Sequence, residues 1–428
     1  MVQHENILII GSGGREHSLG WKISLNPLIK NIFYAPGNGG TKSNKNISID
    51  DFENLKRFAR KNSCLTIVGP EKPLSIGIVD SFEEEGLPIF GPNMEAAKLE
   101  SSKVFAKKFM KKYSIPTPTY SVFSELREAK EYVKSSGGQL VIKVDGLASG
   151  KGVFVCNNKE QSMIAIDLIL GDKHFGDAGR QIVIEEKVEG TEISFIVLSD
   201  SESIVPMASC QDHKNIFDND LGPNTGGMGS YSPVPFITDE LSEEIQSKII
   251  KPTFNGLKEL GISYKGFLYA GLMLEKESNE PRVLEFNTRM GDPECQSLMV
   301  RMSSDLLTYI DATVNRSLNC LENIKWKKQH SLCVVMASKG YPASYAIGNR
   351  IQGLDSKFDD DVYIFHSGTS INAGGKIVTN GGRVLSVTAL GDDLKQAIYK
   401  AYSAVGLIHW GNDEQYYRKD IGSKALKS

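Results

Sequence analysis

The sequence predicts an α/β protein of several domains that begins with a parallel sheet. In the first hundred residues, short apolar runs alternate with helical stretches, an order typical of βαβ units. The last hundred residues carry several strand patterns and one helix, which indicates a β-rich C-terminal domain. The chain has 428 residues, and a single hydrophobic core stops growing at roughly 250 to 300 residues, so more than one core is expected.

Composition excludes several classes of protein. The chain is 40% hydrophobic and 24% charged, as ordinary soluble globular proteins are. Its formal charge of -3 provides no global field to attract nucleic acid, so we expect no nucleic-acid partner. No secretory segment and no apolar run of membrane-spanning length occurs, which predicts a cytoplasmic protein without a membrane partner. The 6 cysteines are scattered without a C-x-x-C pair, which argues against a zinc cage or a disulfide framework.

The N-terminal domain is predicted over residues 1–100. Strand patterns lie at 7–10, 32–34 and 65–68, and helical patterns lie at 16–25 and 52–61. Glycine follows the strands at Gly11, Gly37, Gly69 and Gly91. Because ligands bind beyond the carboxyl ends of parallel strands, we expect a site near these turns.

The second domain is predicted over 101–325 and the third over 326–428. A lysine-rich helix over 95–112 ends before two prolines, and a small α+β module follows at about 120–190. Further patterns predict strands at 193–198, 267–275 and 282–287, and a loop at 212–235 poor in aliphatic residues. The third domain has strand patterns at 333–337, 363–365 and 382–390 and a helix at 394–405.

The run 282–294 carries a candidate metal site. On a strand, Glu285, Asn287 and Arg289 share one face, since residues two apart point the same way. Carboxylate and amide oxygens suit Mg²⁺ that bridges phosphates, and the arginine adds a planar fork for phosphate or carboxylate. Alternation alone favours an edge strand with one solvated face. The acidic turn that follows, with Asp292, supports the metal site.

A glycine-rich stretch at 145–152 is a candidate phosphate-binding loop. Lys143 ends the strand before it, and Lys151 lies between Gly150 and Gly152. Glycines allow backbone N–H groups to approach phosphate oxygens, and lysines neutralise them. The stretch is not a Walker A loop, because no Ser or Thr follows Lys151. An ordinary glycine-rich hairpin remains the alternative.

Three weaker motifs complete the candidate site. The strand end at 182–192, with Glu185, Glu186, Val188 and Glu192, could face an adenosine or could be a run of surface acids. The loop at 212–230 contains Asp212, Gly226 and Gly227, and its His213 is either a base or a polar contact. The turn with Gly11, Gly13, Gly14 and Arg15 could bind phosphate at a helix N-terminus, although Glu16 breaks the dinucleotide fingerprint.

Together these runs resemble the ATP-grasp superfamily, and within it the phosphoribosylamine-glycine ligase family, essentially from end to end. The family-like runs are 11–17, 68–71, 143–152, 222–229, 284–294 and 417–422. The most specific is Gly-Pro-Asn-Thr-Gly-Gly-Met-Gly at 222–229, which other ATP-grasp enzymes do not generally show. The resemblance implies an ATP-grasp fold: a Rossmann-like N-terminal domain, a small lid at about 120–190 and a C-terminal β-rich domain. The sequence departs from the family pattern at Asn215 and Asn219.

The resemblance also implies roles for individual residues. The implied metal ligands for Mg²⁺ or Mn²⁺ are Glu285 and Asn287. The implied ATP contacts are Lys103, Lys143, Gly150, Lys151, Gly152, Glu185, Glu186, Val188 and Glu192. The implied substrate contacts are Gly11, Gly13, Gly14, Arg15, Asp212, Gly226, Gly227, Arg289 and Asp292. The implied catalytic residues are Arg289, Lys143 and Asp212.

The implied reaction is ATP-dependent ligation of glycine to 5-phosphoribosylamine through glycyl phosphate, in purine biosynthesis, by a monomer. The absence of a nucleophile-base pair agrees with phosphoryl transfer, which depends on positioning and charge neutralisation. Three alternatives remain: another ATP-grasp ligase or carboxylase, an NAD-dependent dehydrogenase built on the Gly11 turn, and a non-catalytic nucleotide-binding regulator.

Overall fold

The computed structural model describes residues 4–148 and 151–427, so the predicted contact of Gly150 lies outside the described residues. No helix in the described ranges is long and apolar enough to cross a membrane. Within these ranges the strands form four larger sheets and three two-stranded ones. The predicted α/β class and domain architecture are confirmed, while the exact domain boundaries stay a prediction.

A parallel four-stranded sheet forms the N-terminal part. Its strands, in spatial order, are Asn31–Pro36, Asn6–Gly11, Cys64–Val68 and Ile89–Phe90. The helices are Gly14–Ser24, Phe52–Asn62, Glu71–Ser75 and Ile78–Glu83. Ile7 and Ile9 pack on one face and Leu8 and Ile10 on the other, in two separate apolar clusters. Burial on both faces explains the continuous apolar run of the first strand.

The central part is an antiparallel sheet of Ile204–Pro206, Gly190–Ser199, Gly266–Glu275 and Pro281–Asn287. Helical segments pack around it at Met94–Ser101, Lys103–Lys112, Asp239–Ile245, Gln246–Ile250 and Lys251–Glu259. Two more helices, Glu294–Arg301 and Leu306–Val314, pack between this part and the first sheet. The predicted single helix over 95–112 is wrong at Ser102, whose extended backbone ends one helix and whose side chain caps the next.

The predicted lid is a four-stranded sheet with helices. Its strand order is Tyr120–Phe123, Ile182–Glu186, Leu140–Val144 and Val153–Cys156. Leu126–Ser135 and Lys159–Ile166 pack on the sheet, followed by the short segments Asp167–Gly171 and Gly176–Gly179. The lid has its own apolar core, which includes Val133, Ile142, Ile166 and Ile184.

The third part is built on a six-stranded sheet, which the strand patterns of the sequence predict only in part. Its strands are Gln211–Asp212, Gly229–Ser232, His330–Ser338, Arg383–Gly391, Val362–His366 and Gln415–Tyr416. Leu394–Val405 packs on it. Its smaller helix is Ser423–Lys427, and the small ladders pair Ile351–Gln352 with His409–Trp410 and Thr369–Ile371 with Ile377–Thr379. The short helix Leu318–Cys320 belongs instead to the apolar cluster that contains Leu306 and Ile310.

The region predicted as a loop at 212–235 also contains strands. Asn215–Phe217 pairs with Leu221–Asn224 across the short turn Asp218–Asp220, and Gly229–Ser232 joins the C-terminal sheet. The sheet therefore connects the predicted second and third domains directly. Long-range pairing organises this segment, although it contains few core-forming residues.

Candidate functional site

A cleft of about 760 Å³ lies where the three parts and the lid meet. It is lined by the turn after the first strand, by the lid strands, by the end of Pro281–Asn287 and by the loops around Asp212 and Gly226. The carboxyl end of the first parallel strand opens into it, as expected for ligand sites in such sheets. Residues far apart in the sequence therefore face one volume.

The strand Pro281–Asn287 brings Glu285 and Asn287 to the cleft. Lys214 Nζ lies 3.4 Å from Glu285 Oε1. Burial opposes the negative charge of Glu285, but the nearby cations, led by Lys214 and Lys143, outweigh it and lower the pKa of Glu285 to about 2. Asn287 Oδ1 accepts a hydrogen bond from Arg289 Nη2 at 3.1 Å. An ionised carboxylate and an oriented amide oxygen thus stand on one strand, a donor set that fits a hard divalent cation.

Arg289 is held by carboxylates from two parts of the molecule. Its Nη2 lies 2.7 Å from Glu100 Oε1, and its Nε lies 3.4 Å from Glu71 Oε2. Glu100 Oε2 also accepts a hydrogen bond from the backbone N–H of Thr288 at 2.7 Å. Burial disfavours the guanidinium charge, yet Glu100 and Glu71 reverse the effect and raise the pKa of Arg289. The arginine is therefore fixed in direction before any ligand arrives.

Two lysines flank one buried carboxylate beneath the lid. Lys143 Nζ lies 3.0 Å from Glu185 Oε2, and Lys107 Nζ lies 3.0 Å from Glu185 Oε1. Lys143 Nζ also donates a hydrogen bond to Leu284 O at 2.9 Å. Burial lowers the pKa of Lys107 to about 8, and the positive charge of Lys143 acts in the same direction. Since the Glu185 side chain is only 1% exposed and engaged with lysines, any base edge read at this strand would be read by backbone groups.

Lys103 stands at the first turn of the helix Lys103–Lys112, and the lid fixes that turn. Asp145 Oδ1 accepts hydrogen bonds from Ser102 Oγ and from Val104 N, each at 2.9 Å. Lys103 N donates to Asp145 O at 3.1 Å. Burial lowers the pKa of the Lys103 side chain, with Glu285 opposing that change. The lid residue Asp145 thus caps the helix that carries Lys103.

Asp212 lies in an acidic, buried corner of the cleft. Burial raises its pKa well above the usual range, and the nearby Glu294 adds to the rise. Lys214 forms an ion pair with Glu192, and Glu294 Oε1 accepts a hydrogen bond from Ser194 Oγ at 3.0 Å. A carboxyl group in this corner is suited to receive a cationic group or to share a proton.

His213 does not face the cleft as a base would. It is buried, and neither ring nitrogen has a hydrogen-bond partner among the described residues. Burial lowers its pKa to about 3, with the Lys424 charge acting in the same direction. Neither of the two roles predicted for His213, base or polar contact, has support in these contacts.

The glycine-rich loop is clamped by a residue of the C-terminal sheet. Arg383 Nη1 donates to Gly226 O at 2.7 Å and to Gly227 O at 3.3 Å, and it also donates to Asp292 O. Gly227 has φ +111°, and a Cβ there would come within 2.5 Å of Pro293 Cδ. Only glycine fits this position, which explains why the loop and the acidic turn can lie so close together.

The turn after the first strand is already occupied by carboxylates of the protein. Gly13 N donates to Glu16 Oε2 at 2.6 Å, and Arg15 N donates to Asp292 Oδ2 at 3.3 Å. Arg15 Nη1 donates to Met290 O at 3.0 Å. The first turn of the helix thus contacts the acidic turn of the central part, and its free surface is smaller than the sequence pattern indicates.

Most of the residues predicted for the site line the cleft: Gly11, Gly13, Arg15, Lys103, Lys143, Gly152, Glu185, Glu186, Val188, Glu192, Asp212, Gly226, Glu285, Asn287, Arg289 and Asp292. Gly14 and Gly227 lie beside it without lining it, and Lys151 lines a smaller adjoining cavity. The individual roles assigned to these residues stay predictions.

The charged residues of the site that sequence reasoning missed include Glu71, Glu100, Lys107, Lys214 and Arg383. Lys107 could have been found, because it lies one helical turn after Lys103. Glu71 and Lys214 stand inside motifs that were singled out for other residues. Arg383 had no local signal, since only the packing of the C-terminal sheet brings it to the loop.

Within the described ranges, no group of three or more His, Cys, Asp or Glu side chains could hold a metal ion alone. A cation at Glu285 and Asn287 would therefore take its remaining ligands from water and from a bound phosphate compound. Mg²⁺ commonly binds in this way.

Comparison with known proteins identifies the class. The crystal structure of a phosphoribosylamine-glycine ligase from Thermotoga maritima has a TM-score of 0.84 at 33% identity, covering 97% of this chain and 100% of that one. The biotin carboxylase domain of a Hydrogenobacter thermophilus 2-oxoglutarate carboxylase, in complex with MgADP, has a TM-score of 0.73 at 16% identity, covering 96% and 92%, and shows the shared fold. The fold and the site define an ATP-grasp enzyme, and enzymes of this class use ATP and a divalent metal.

The sequence matches assign the family within that class. Phosphoribosylglycinamide synthetase models match as the N domain at residues 5–100, the ATP-grasp (A) domain at 101–295 and the C domain at 331–424. Phosphoribosylamine-glycine ligases from Vibrio vulnificus and Escherichia coli O157:H7 are 48% and 47% identical over 427 residues, covering 98% of this chain and 98% and 99% of theirs. The chain belongs to the phosphoribosylglycinamide synthetase family, as the sequence motifs predicted.

Proposed function

We propose that this enzyme joins glycine to 5-phosphoribosylamine at the expense of ATP, giving glycinamide ribonucleotide, ADP and phosphate in purine biosynthesis. The observation that carries the proposal is one cleft that combines an ionised Glu285, a fixed Arg289 and buried lysines under a lid. Such a site neutralises the negative charge of phosphoryl oxygens. That is the requirement of a reaction in which ATP activates a carboxylate.

The reaction has two steps. A glycine carboxylate oxygen attacks the γ-phosphorus of ATP, the bond to the bridging oxygen breaks, and glycyl phosphate and ADP form. The 1-amino group of phosphoribosylamine then attacks the carbonyl carbon, loses a proton, and releases inorganic phosphate. In this scheme Lys103 and Lys143 orient and neutralise the nucleotide phosphates, and Arg289 holds the transferred group in line.

The acidic corner at Asp212 has two functions in this scheme. Its carboxylates receive the ammonium group of glycine, which fixes the carboxylate end toward the nucleotide. Burial and then Glu294 raise the pKa of Asp212, so its carboxylate, once ionised beside a bound cationic group, would be a stronger base than an ordinary aspartate and would accept the proton that the attacking amine loses. The lid excludes water, since glycyl phosphate would otherwise hydrolyse.

Glu285 and Asn287 would hold the divalent cation, Mg²⁺ or Mn²⁺. A cation bound there would neutralise negative charge on the nucleotide phosphates. The ionised state of Glu285 and the fixed orientation of the Asn287 amide support this assignment. Assays after chelation, with Mg²⁺ or Mn²⁺ restored singly, would identify the preferred ion.

We also infer that the protein is a monomer and that it acts in the cytoplasm. Light scattering would test the oligomeric state, and cell fractionation would test the location.

ADP release tests the reaction. The full chain is mixed with ATP, Mg²⁺, glycine and freshly generated phosphoribosylamine, and each substrate is omitted in turn. We expect ADP release to require both, with one glycinamide ribonucleotide formed per ADP. Release without either substrate, or none with both, would refute the ligase. Turnover supported by bicarbonate in place of glycine would instead indicate a carboxylase.

A further inference from the structure

A second cavity of about 360 Å³ adjoins the cleft where the N-terminal turn meets the C-terminal domain. We call it the annex and define it by Ser12, Lys151, Tyr345, Ser367 and Arg383, which are among its lining residues. Ser12 and Arg383 line the cleft as well, so the two volumes share a wall. One ligand can therefore occupy the annex and extend into the cleft. The volume lies in the usual range for small-molecule sites, roughly 300 to 1,000 Å³.

The annex has unused hydrogen-bond donors. Among the described residues, the hydrogen bonds of Arg383 all start from Nη1 and hold Gly226, Gly227 and Asp292. Its Nη2 and Nε remain available, and the side chain is 21% exposed. Lys151 adds a second cation. A guanidinium with two free parallel donors matches the geometry of a phosphate.

The walls of the annex are held in place by contacts between the N-terminal and C-terminal parts. Asn38 Nδ2 donates to Ser12 O at 2.9 Å and to His366 O at 2.8 Å. His366 N donates to His17 Nδ1 at 2.9 Å. These contacts fix Ser12 and the neighbour of Ser367 before a ligand binds. A preformed site of this kind loses little ordering entropy on binding.

The position of the annex decides which substrate it can serve. The lid residues Glu185, Glu186 and Val188, where we place the nucleotide base, line the cleft but not the annex. The shared wall is formed by the N-terminal turn, by Asp292 and by Arg383. A ligand anchored in the annex therefore enters the cleft on the side away from the base.

We propose that the annex binds the phosphate monoester of the amine substrate, through Arg383, Lys151 and the hydroxyls of Ser12 and Ser367. The proposal rests on the proposed function and adds the residues that select a phosphorylated amine. The phosphate is anchored in the annex, and the 1-amino group at the other end of the sugar reaches the activated carboxyl in the cleft. Lys151, which the family resemblance assigns to ATP, is thereby assigned to the amine substrate, and glycine and ATP bind in the cleft.

The test introduces a negative charge at the annex with a matched neutral control. The side chains introduced by Ser367→Asp and Ser367→Asn have nearly the same shape but differ in charge. Both full-length variants are assayed by ADP release. For Ser367→Asp we expect the KM for phosphoribosylamine to rise roughly tenfold or more relative to Ser367→Asn, because like charges in a partly buried site repel strongly. The KM values for ATP and glycine should change less than twofold or so.

Each other outcome overturns the proposal. Equal KM values for phosphoribosylamine in the two variants would exclude phosphate binding in the annex, and a selective rise in the KM for ATP would assign the annex to the nucleotide. If the Ser367 pair does not fold, Tyr345→Glu and Tyr345→Gln provide the same comparison at a residue that is 39% exposed. Loss of the proposed function itself would appear differently, as wild-type enzyme that does not turn over.

Discussion

Glu285 stays ionised at a half-buried position because several cations surround it. Lys214 lies 3.4 Å away, and together with Lys143 it lowers the pKa of Glu285 to about 2 against the effect of burial. The carboxylate is thus ionised, and able to bind a cation, at neutral pH. Removing its charge would leave Lys214 without one of its two carboxylate partners, the other being Glu192.

Glu285→Gln should lower kcat roughly a hundredfold or more while the fold is kept, since the amide preserves the shape but loses the charge that holds the cation. The measurement is ADP release at saturating Mg²⁺, with circular dichroism to verify folding. Glu280→Gln, at a side chain that is 57% exposed, is the control and should keep wild-type turnover. Near-normal turnover of Glu285→Gln would show that the metal lies elsewhere.

At the scale of single residues, the sequence predicts the site residues that belong to a local motif. It misses those that reach the site only because distant segments of the chain pack together. Glu285, Asn287 and Arg289 follow from strand alternation and a polar turn. Arg383 comes from a strand almost 100 residues further on and could not be assigned to the same site. Contacts over such separations leave no pattern in a single sequence.

The first turn of the helix Lys103–Lys112 contacts Asp145 of the lid, and this contact links the position of the lid to Lys103 in the cleft. Ser102 breaks the helical region, and Asp145 of the lid accepts hydrogen bonds from Ser102 Oγ and Val104 N. Asp145 of the lid therefore helps to cap the N-terminus of this helix. The break at Ser102 was missed because a continuous pattern of helix-forming residues runs through it.

Asp145→Ala should destabilise the protein by about 1 kcal/mol, the usual loss for a helix cap, and raise the KM for ATP several-fold because Lys103 loses its anchor. Urea unfolding and initial-rate kinetics measure the two effects. Asp393→Ala removes a similar cap, the hydrogen bond from Gln396 N, from the C-terminal helix far from the lid. It should lose similar stability with an unchanged KM for ATP. Identical kinetics in the two variants would argue against the anchoring role.

On the scale of the whole molecule, the C-terminal segment supports the loop that carries Lys214. Arg418 is fully buried, pairs with Asp220 at 3.0 Å and with Asp420 at 2.7 Å, and donates to Asn215 O at 3.0 Å. Burial disfavours its charge, and the two aspartates restore it, so that the pKa of Arg418 is raised. The hairpin formed by Asn215–Phe217 and Leu221–Asn224 is thereby fixed to the C-terminal segment that contains Arg418.

Arg418→Met should destabilise the protein by about 3 kcal/mol, because it leaves Asp420 without its cation and Asp220 with Lys424 alone. The measurement is the free energy of unfolding in urea. Arg127→Met removes a side chain that is 89% exposed and paired with Glu131, and it should change stability by less than about 0.5 kcal/mol. A loss for Arg418→Met no larger than that of the control would contradict the supporting role.

The contact between the N-terminal and C-terminal parts should respond to acid. Burial lowers the pKa of His366 to about 3, so the folded protein keeps this ring neutral while the unfolded chain, with a pKa near 6.5, takes up a proton. The contribution of the neutral His366 ring to the free energy of unfolding is complete above pH 6.5, and it falls as the pH drops toward 3.

His366→Asn should therefore lose less stability between pH 7 and pH 5 than wild type does, with a slope smaller by up to about one proton. Urea unfolding at several pH values measures this slope. His409→Asn, at an exposed histidine, should follow the wild-type slope. If the His366 and His409 variants have the same slope, the buried ring does not contribute.

The overall architecture was predictable because periodicity and family-like motifs extend along the whole chain. The parallel sheet, the lid and the helix Leu394–Val405 all appear where the patterns indicate. The six-stranded sheet was only partly predicted, because Gln211–Asp212 and Gly229–Ser232 are too short to have a period and depend on pairing with distant strands.

The pairing of Arg418 with Asp220 also matters during protein synthesis. A ribosome makes the lid, the metal-binding strand and the glycine-rich loop long before it makes residue 418, so the nascent chain holds most of the groups that contact ATP without the partner that fixes the loop. The loop that carries Lys214 would then gain its support only after residue 418 has been made.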